Sequence, residues 1–132
     1  MARAMSTAQL AATVVVAAAT AGCVAVQAPG APGSIACTLQ FVYGLSVIVQ
    51  DAETGVRVCD AQVTAVAGSY RETLMASGSS GDCSYAGAGE RAGVYDLSAS
   101  RAGYTSAASN NIRVDADVCH VVPVRVTLLL KR

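Results

Sequence analysis

One stretch constrains the fold more than any other: residues 90–104, which read ERAGVYDLSASRAGY. Glycines stand before and after its central part, at Gly93 and Gly103. Between them, apolar and polar side chains alternate at period two, in the order Tyr95, Asp96, Leu97, Ser98, Ala99 and Ser100. This alternation predicts a half-buried β-strand with a turn at each end, in which Tyr95 packs inward.

The chain after the first 36 residues repeats this pattern in short pieces. Further strands are predicted at residues 45–50, 56–67, 70–75, 108–114 and 120–130. A turn is predicted at 51–55, and a bulge or strand break near Cys59. Residues 76–90, ASGSSGDCSYAGAGE, are predicted to be a glycine- and serine-rich loop with a short β-segment at 83–85. Six or seven short strands with frequent turns predict an all-β chain that folds as a small β-sandwich.

Residues 1–22 are predicted to be an export leader. Arg3 gives a weakly positive start, and residues 10–21 form an apolar segment too short to span a bilayer as a helix. The Thr-Ala-Gly-Cys sequence that ends at Cys23 resembles the lipobox of bacterial lipoproteins, in which this cysteine becomes the acylated N-terminus. Two alternatives stay open: ordinary signal-peptidase cleavage after Ala21, which gives a secreted protein, and a cytosolic apolar helix.

The number of cysteines, five, favours the lipoprotein interpretation. If Cys23 carries lipid, an even number remains, which suits two disulfides in an oxidising compartment. These four disulfide candidates are Cys37, Cys59, Cys83 and Cys119. The preferred pairing is Cys59 with Cys119 and Cys37 with Cys83, and a bond between Cys59 and Cys83 is the close rival.

Composition limits the partners and the domain organisation. The chain has 9 basic and 9 acidic residues, so it lacks the basic footprint of a nucleic-acid-binding protein. Residues 23–36 contain two Pro-Gly pairs and no charge, which predicts a flexible tether. The remaining residues, 37–132, suffice for one domain.

Three segments carry a resemblance to a known family. They are SVIVQDAETGVRVCDAQVTA at 46–65, GVYDLSASRAGYTS at 93–106 and VCHVVPVRVTLLL at 118–130. Together they resemble the carboxypeptidase regulatory-like domain, a transthyretin-like (prealbumin-like) Greek-key β-sandwich of up to seven strands, in a form found in bacterial lipoproteins. The resemblance implies an accessory or adhesive module and brings no activity with it. Gly55 is expected to take a positive φ in the turn after the first strand, and Tyr104 to keep its hydroxyl in water at the sandwich edge.

Catalytic and covalent functions of related domains are excluded by residues that are missing. The chain has no G-x-S-x-G nucleophile motif and no H-x-x-E zinc motif. It lacks the Tyr-Arg-Gly-Ser ending and the several histidines of the transthyretin-like hydrolases of purine breakdown. Its only lysine, Lys131, lies at the end of the chain, whereas isopeptide-forming adhesin domains need one on an early strand. The sequence therefore predicts a protein that is not an enzyme.

His120, the only histidine, lies close in sequence to Asp115, Asp117 and Cys119. Zinc needs three or four protein ligands, and the cysteine is expected in a disulfide. Calcium needs a longer loop of oxygen ligands than these residues offer. We interpret His120 as a structural residue and predict no metal site and no cofactor.

Glu90 and Arg91 form a neighbouring pair of opposite charges directly before the central strand. One interpretation is an ion pair that fixes the loop to the sandwich. The other is a contact surface, since the pair ends the glycine-rich segment 77–89. We predict this surface, with Glu90 and Arg91, as the first candidate for binding.

These patterns together predict a non-enzymatic cell-envelope lipoprotein with a binding or structural module. The membrane would be reached through lipid on Cys23, on the outer membrane or on the periplasmic side of a bacterial membrane; secretion is the alternative. An envelope protein or a polysaccharide is the expected partner. Two further hypotheses are a small accessory or inhibitor domain that regulates an envelope enzyme or transporter, and a weak hydrolase that depends on His120.

Overall fold

The computed structural model describes residues 36–132. The predicted leader, Cys23 and the predicted tether up to residue 35 lie outside the described residues. The described part contains eight strands: β1 (Tyr43–Asp51), β2 (Gln62–Ala67), β3 (Tyr70–Thr73), β4 (Met75–Ser79), β5 (Asp82–Gly89), β6 (Gly93–Ser100), β7 (Ala107–Val114) and β8 (Val124–Leu130). Among these residues no helix is long and apolar enough to cross a bilayer.

The strands form two four-stranded sheets, in the orders β4-β5-β1-β8 and β3-β2-β6-β7. The β1–β8 pair is parallel, and every other pair is antiparallel. The predicted all-β sandwich is confirmed, with eight strands instead of six or seven. Its core is shared by both sheets and is built mainly from Val, Leu and Ala, with the rings of Tyr85 and Tyr95 as its largest members.

The alternation that constrained the fold most is confirmed in β6. Tyr95, Leu97 and Ala99 are buried, and the residues between them are exposed. Gly103 follows the strand with a φ of 80° and Gly55 follows β1 with a φ of 70°, both in the left-handed region that favours glycine. The turn residues therefore serve the predicted purpose at both positions.

The predicted loop at 76–90 is wrong, apart from its short β-segment at 83–85, which lies within β5. The segment is a hairpin of β4 and β5, and β5 is an inner strand of its sheet. Its glycines are used for close packing: a side chain at Gly87 would meet Leu74, and one at Gly89 would meet the Phe41 ring. Small residues thus allow β5 to pack closely against its neighbours. They also remove the hydrophobic periodicity from which a strand would have been predicted.

The predicted break near Cys59 is confirmed, because an isolated bridge joins Gln50 to Arg57 and β2 begins only at Gln62. The last strand begins at Val124 and not at residue 120. Before it, Asp117 holds a turn, in which its carboxylate accepts hydrogen bonds from the backbone N–H groups of residues 119 and 120. Pro123, which has no N–H to donate, stands between this turn and the strand.

Two disulfides join the four cysteines: Cys37 to Cys119 and Cys59 to Cys83. The preferred pairing was wrong, and its rival Cys59–Cys83 is confirmed. The physical reason is distance. The first disulfide lies where β1 begins and the second where β1 ends, and bonded cysteines need Cα atoms within about 7 Å. Two disulfides in so small a domain indicate an oxidising, extracytoplasmic compartment.

Candidate functional site

Two adjoining clefts, of about 480 and about 260 Å³, lie at the end of the sandwich where β1 and β8 finish. They share four lining residues: Val56, Arg57, Val58 and Arg101. The smaller cleft is also lined by Arg132. We call the two clefts together the arginine groove, after Arg57, Arg101 and Arg132.

Strand ends bring these arginines together. Arg57 follows the turn after β1, Arg101 directly follows β6, and Arg132 comes two residues after β8. Because β1 and β8 run parallel, with Asp51 opposite Leu130, their ends meet at the same edge of the sheet. The groove is therefore a product of the topology and not of any local motif.

A buried carboxylate, that of Asp51, anchors the groove floor. Its Oδ1 accepts hydrogen bonds from the backbone N–H groups of Glu53 and Thr54, both at 3.0 Å. Its Oδ2 accepts one from the Tyr104 hydroxyl at 2.9 Å and one from Arg132 Nε at 3.1 Å. The Thr54 N–H and the Tyr104 hydroxyl hold the pKa of Asp51 far below its usual range, against the opposing effect of desolvation. The carboxylate is therefore charged at neutral pH.

The Tyr104 ring lies close to two guanidinium groups. The Cζ atoms of Arg101 and Arg132 lie 5.3 and 5.2 Å from its centroid, at cation–π distance. Its hydroxyl donates to Asp51 and accepts from Arg132, so the expectation that this hydroxyl lies in water was wrong. Tyr104 is a wall of the groove.

Arg57 and Arg101 each form an ion pair with one carboxylate, through one nitrogen of the guanidinium group. Arg57 Nη1 donates to the Cys83 carbonyl oxygen at 2.9 Å and forms an ion pair with Asp82 Oδ1 at 2.8 Å. Arg101 Nε lies 2.8 Å from Asp60 Oδ1. These contacts orient the guanidinium groups and leave their remaining edges open to the groove.

The backbone of the larger cleft is fixed from the core. The Tyr85 hydroxyl donates to the Val58 carbonyl at 2.9 Å and accepts from the Ala61 N–H at 2.9 Å. The Cys59–Cys83 disulfide ties the same segment to β5. The irregular residues between β1 and β2 are thus held rigidly although they belong to no strand.

Glu90, a predicted binding residue, lies at the opposite end of the sandwich. Its Oε1 accepts a hydrogen bond from the Val42 N–H at 2.8 Å and lies 2.9 Å from His120 Nδ1. Burial opposes ionisation there, but these two hydrogen bonds prevail and lower the pKa of Glu90. The carboxylate connects the segment before β1 to the turn before β8.

Arg91 makes a different contact: its Cζ lies 4.1 Å from the centroid of the Tyr70 ring. Among residues 36–132 no ion pair joins Glu90 to Arg91, so the structure does not bring this predicted pair together. Their role in binding stays a prediction.

His120 has structural partners on both ring nitrogens. Nε2 lies 3.0 Å from the Thr38 hydroxyl, and Nδ1 faces Glu90. In the part of the chain that the structure describes, no three His, Cys, Asp or Glu side chains are arranged to hold a metal ion. The neighbouring Cys119 is in a disulfide, and the neighbouring Asp117 holds its turn.

Sequence reasoning missed the arginine groove. Its three arginines are widely separated in the sequence, and the only local signals were the turn at Asp51 and the Gly-Tyr pair that ends at Tyr104, both interpreted as architecture. No protein-family model and no curated protein matches the chain.

Proposed function

We propose that this chain is a non-enzymatic cell-envelope lipoprotein whose β-sandwich is a binding module. The observation that carries the proposal is the use of the cysteines. Four of the five form two disulfides within the domain, and the fifth, Cys23, comes two residues after the apolar segment 10–21. A lipid anchor on Cys23 accounts for the remaining thiol and for the extracytoplasmic compartment that the disulfides require.

The fold supports the resemblance on which the module's role rests. A carboxypeptidase regulatory-like domain is expected to be a β-sandwich, and two packed four-stranded sheets belong to that class. The β1 and β6 segments that carry the resemblance form inner strands of opposite sheets. An accessory binding role is what such a domain implies.

The chemistry of the groove favours binding over catalysis. It offers arginine donors, whereas the only histidine, His120, lies at the other end of the domain and is bonded to Glu90 and Thr38. A serine hydrolase needs a base within hydrogen-bond reach of its nucleophile. The hydrolase hypothesis therefore receives no support from the groove.

The test of the anchor is Cys23→Ala in the full chain, expressed with export intact. Wild type should sediment with membranes and carry lipid mass on Cys23, and Cys23→Ala should move to the soluble extracytoplasmic fraction. Val24→Ala, beside the proposed acylation site, is the matched control and should stay with the membrane. Unchanged sedimentation of Cys23→Ala together with no lipid on the wild-type N-terminus would sink the proposal.

A second candidate function is regulation of a partner envelope enzyme or transporter. It is favoured by apolar side chains exposed near the Cys37–Cys119 disulfide: Leu39, Phe41, Val118 and Val122. A photo-crosslinker placed at residue 39 in intact cells should then capture one discrete protein, and a crosslinker at Arg125, on the exposed face of β8, should not. Absence of any specific product at residue 39 argues against this candidate.

A further inference from the structure

The arginines of the groove keep unused hydrogen-bond donors. A guanidinium group carries five N–H donors. Within residues 36–132, Arg101 is engaged only through Nε and Arg57 only through Nη1. Arg132 is engaged through Nε and Nη2. The side chains of Arg57 and Arg101 are 28% and 34% exposed, so their free edges can reach a ligand.

Each arginine of the groove is paired with one carboxylate, so the groove offers a ligand free N–H donors and not an excess of positive charge. Asp51 and Asp60 line the groove, and Asp82, the partner of Arg57, is 81% exposed. Asp51 is only 3% exposed and already accepts four hydrogen bonds. Asp60 holds Arg101 through Nε and leaves both terminal nitrogens of that side chain open. The planar fork of two such nitrogens matches a carboxylate.

Contacts within the folded domain already order most of these donor side chains, so little conformational entropy remains to be lost on binding. The Tyr104 ring contacts the guanidinium groups of Arg101 and Arg132, and the Cys59–Cys83 disulfide fixes the segment beside Arg57. Binding a ligand therefore orders few additional side chains, which is the main route by which a small site gains affinity.

The groove also offers apolar surface and more room than a single ion fills. Val56 is 60% exposed and lines both clefts. The larger cleft, at about 480 Å³, is in the size range of pockets for small organic ligands. An apolar wall beside arginine forks suits a ring that has C–H faces and a carboxylate substituent, and two adjoining clefts suit consecutive rings of a polymer.

From these contacts we propose that the arginine groove binds a uronic acid unit of an acidic polysaccharide, with its carboxylate at Arg57 and Arg101. This ligand class deepens the proposed binding function and rests on it. The ring would lie against Val56, and Arg132 would supply a further N–H donor in the smaller cleft.

The experiment titrates the purified full chain, in non-ionic detergent micelles, with oligogalacturonate and with a neutral galactose oligomer of the same length. Isothermal titration calorimetry gives the affinity, and the NMR signals of the arginine Nε–H groups give the position. We expect binding of the acidic oligomer at least about tenfold tighter than of the neutral one, because a hydrogen bond to a charged group contributes at least about that factor. Shifts should be largest at Arg57 and Arg101.

The decisive variant is Arg101→Gln, which should weaken binding by about tenfold or more. Arg101→Lys keeps the charge without the fork and should also bind more weakly than wild type. Arg125→Gln removes an exposed arginine of β8 outside the groove and should bind like wild type. Thermal melts check the fold, and the wild-type NMR shifts locate the ligand independently of any variant.

Besides the absence of oligogalacturonate binding, three outcomes overturn the inference. If Arg101→Gln and wild type bind oligogalacturonate equally tightly, the groove is not the binding site. A polyglutamate peptide that binds as tightly as oligogalacturonate assigns the groove to acidic peptides instead. Inorganic phosphate that binds as tightly as the oligomer reduces it to a site for small anions.

The binding assay and the anchor test fail separately. Because binding is measured on purified protein, oligogalacturonate can bind with or without lipid on Cys23. Absence of lipid on wild-type Cys23, with oligogalacturonate binding retained, would refute the lipoprotein proposal alone. Lipid on Cys23 without oligogalacturonate binding would refute the ligand alone.

Discussion

Tyr85 joins the wall of the arginine groove to the core, and its hydroxyl can be removed with little change in packing. The ring is 2% exposed on β5. Its hydroxyl makes two hydrogen bonds of 2.9 Å, one given to Val58 and one accepted from Ala61. Tyr85→Phe keeps the ring and deletes both bonds, so it isolates their contribution.

The expected loss of stability is about 2 kcal/mol. A typical buried hydrogen bond contributes about 1 kcal/mol net, and Tyr85→Phe removes two. The cost rises towards 3 kcal/mol if the carbonyl of Val58, a buried residue, finds no water to replace the hydroxyl. In a domain of this size, 2 kcal/mol corresponds to a fall in Tm of roughly 8–16 °C.

Two other tyrosines calibrate the measurement. Tyr95→Phe deletes the one hydrogen bond that its hydroxyl donates to the Arg91 carbonyl and should cost about 1 kcal/mol. Tyr43 is 36% exposed and has no side-chain hydrogen bond within the described residues, so Tyr43→Phe should change little. Urea unfolding of the full chain with disulfides intact gives the three free energies. The reasoning is refuted if Tyr85→Phe costs less than Tyr95→Phe or no more than Tyr43→Phe.

Two further predictions concern the disulfides and pH. Replacing Cys59 and Cys83 by Ala should lower the stability by about 3 kcal/mol, the entropy of closing the loop. Replacing Cys37 and Cys119 should lower it less, although that loop is longer, because the released residues 36–41 regain local freedom. Urea unfolding of the two variants gives their order. The depressed pKa of Asp51 contributes stability above the unfolded carboxyl pKa of about 4, and this contribution is lost as the pH falls. The difference in Tm between wild type and Asp51→Asn should therefore narrow from about pH 5 to about pH 2. A constant difference in Tm would contradict this reasoning.

Strands whose apolar residues alternate could be predicted from the sequence. In β6 the inward positions after Gly93 carry apolar side chains. The outward positions are polar, apart from Val94. The period of two can therefore be recognised in the sequence. In β5 the inward positions include Cys83 and Gly87, and neither is distinguishable from loop composition. Their fit depends on what covers them, Leu74 in the case of Gly87, and that is decided by tertiary packing.

The arginine groove could not be predicted from the sequence for a similar reason. Asp51 is interpreted from sequence as a turn residue, and it is one, because its Oδ1 accepts the Glu53 and Thr54 N–H groups. Its second oxygen binds Tyr104 and Arg132, and nothing local relates those residues to the turn. The same separation explains the disulfide error: only the topology reveals which cysteines share an end of the sandwich.

The parallel pair of β1 and β8 places the Cys37–Cys119 disulfide and the arginine groove at opposite ends of the domain. β1 begins at Tyr43, beside the Cys37–Cys119 disulfide, and ends at Asp51 in the groove. The eight steps between its nine residues, at about 3.3 Å each, separate these ends by roughly 26 Å. Since β8 runs the same way, it delivers Arg132 to Asp51; an antiparallel last strand would carry that arginine to the other end. The first described residues, beside Cys37, therefore lie at the end of the domain opposite the arginine groove.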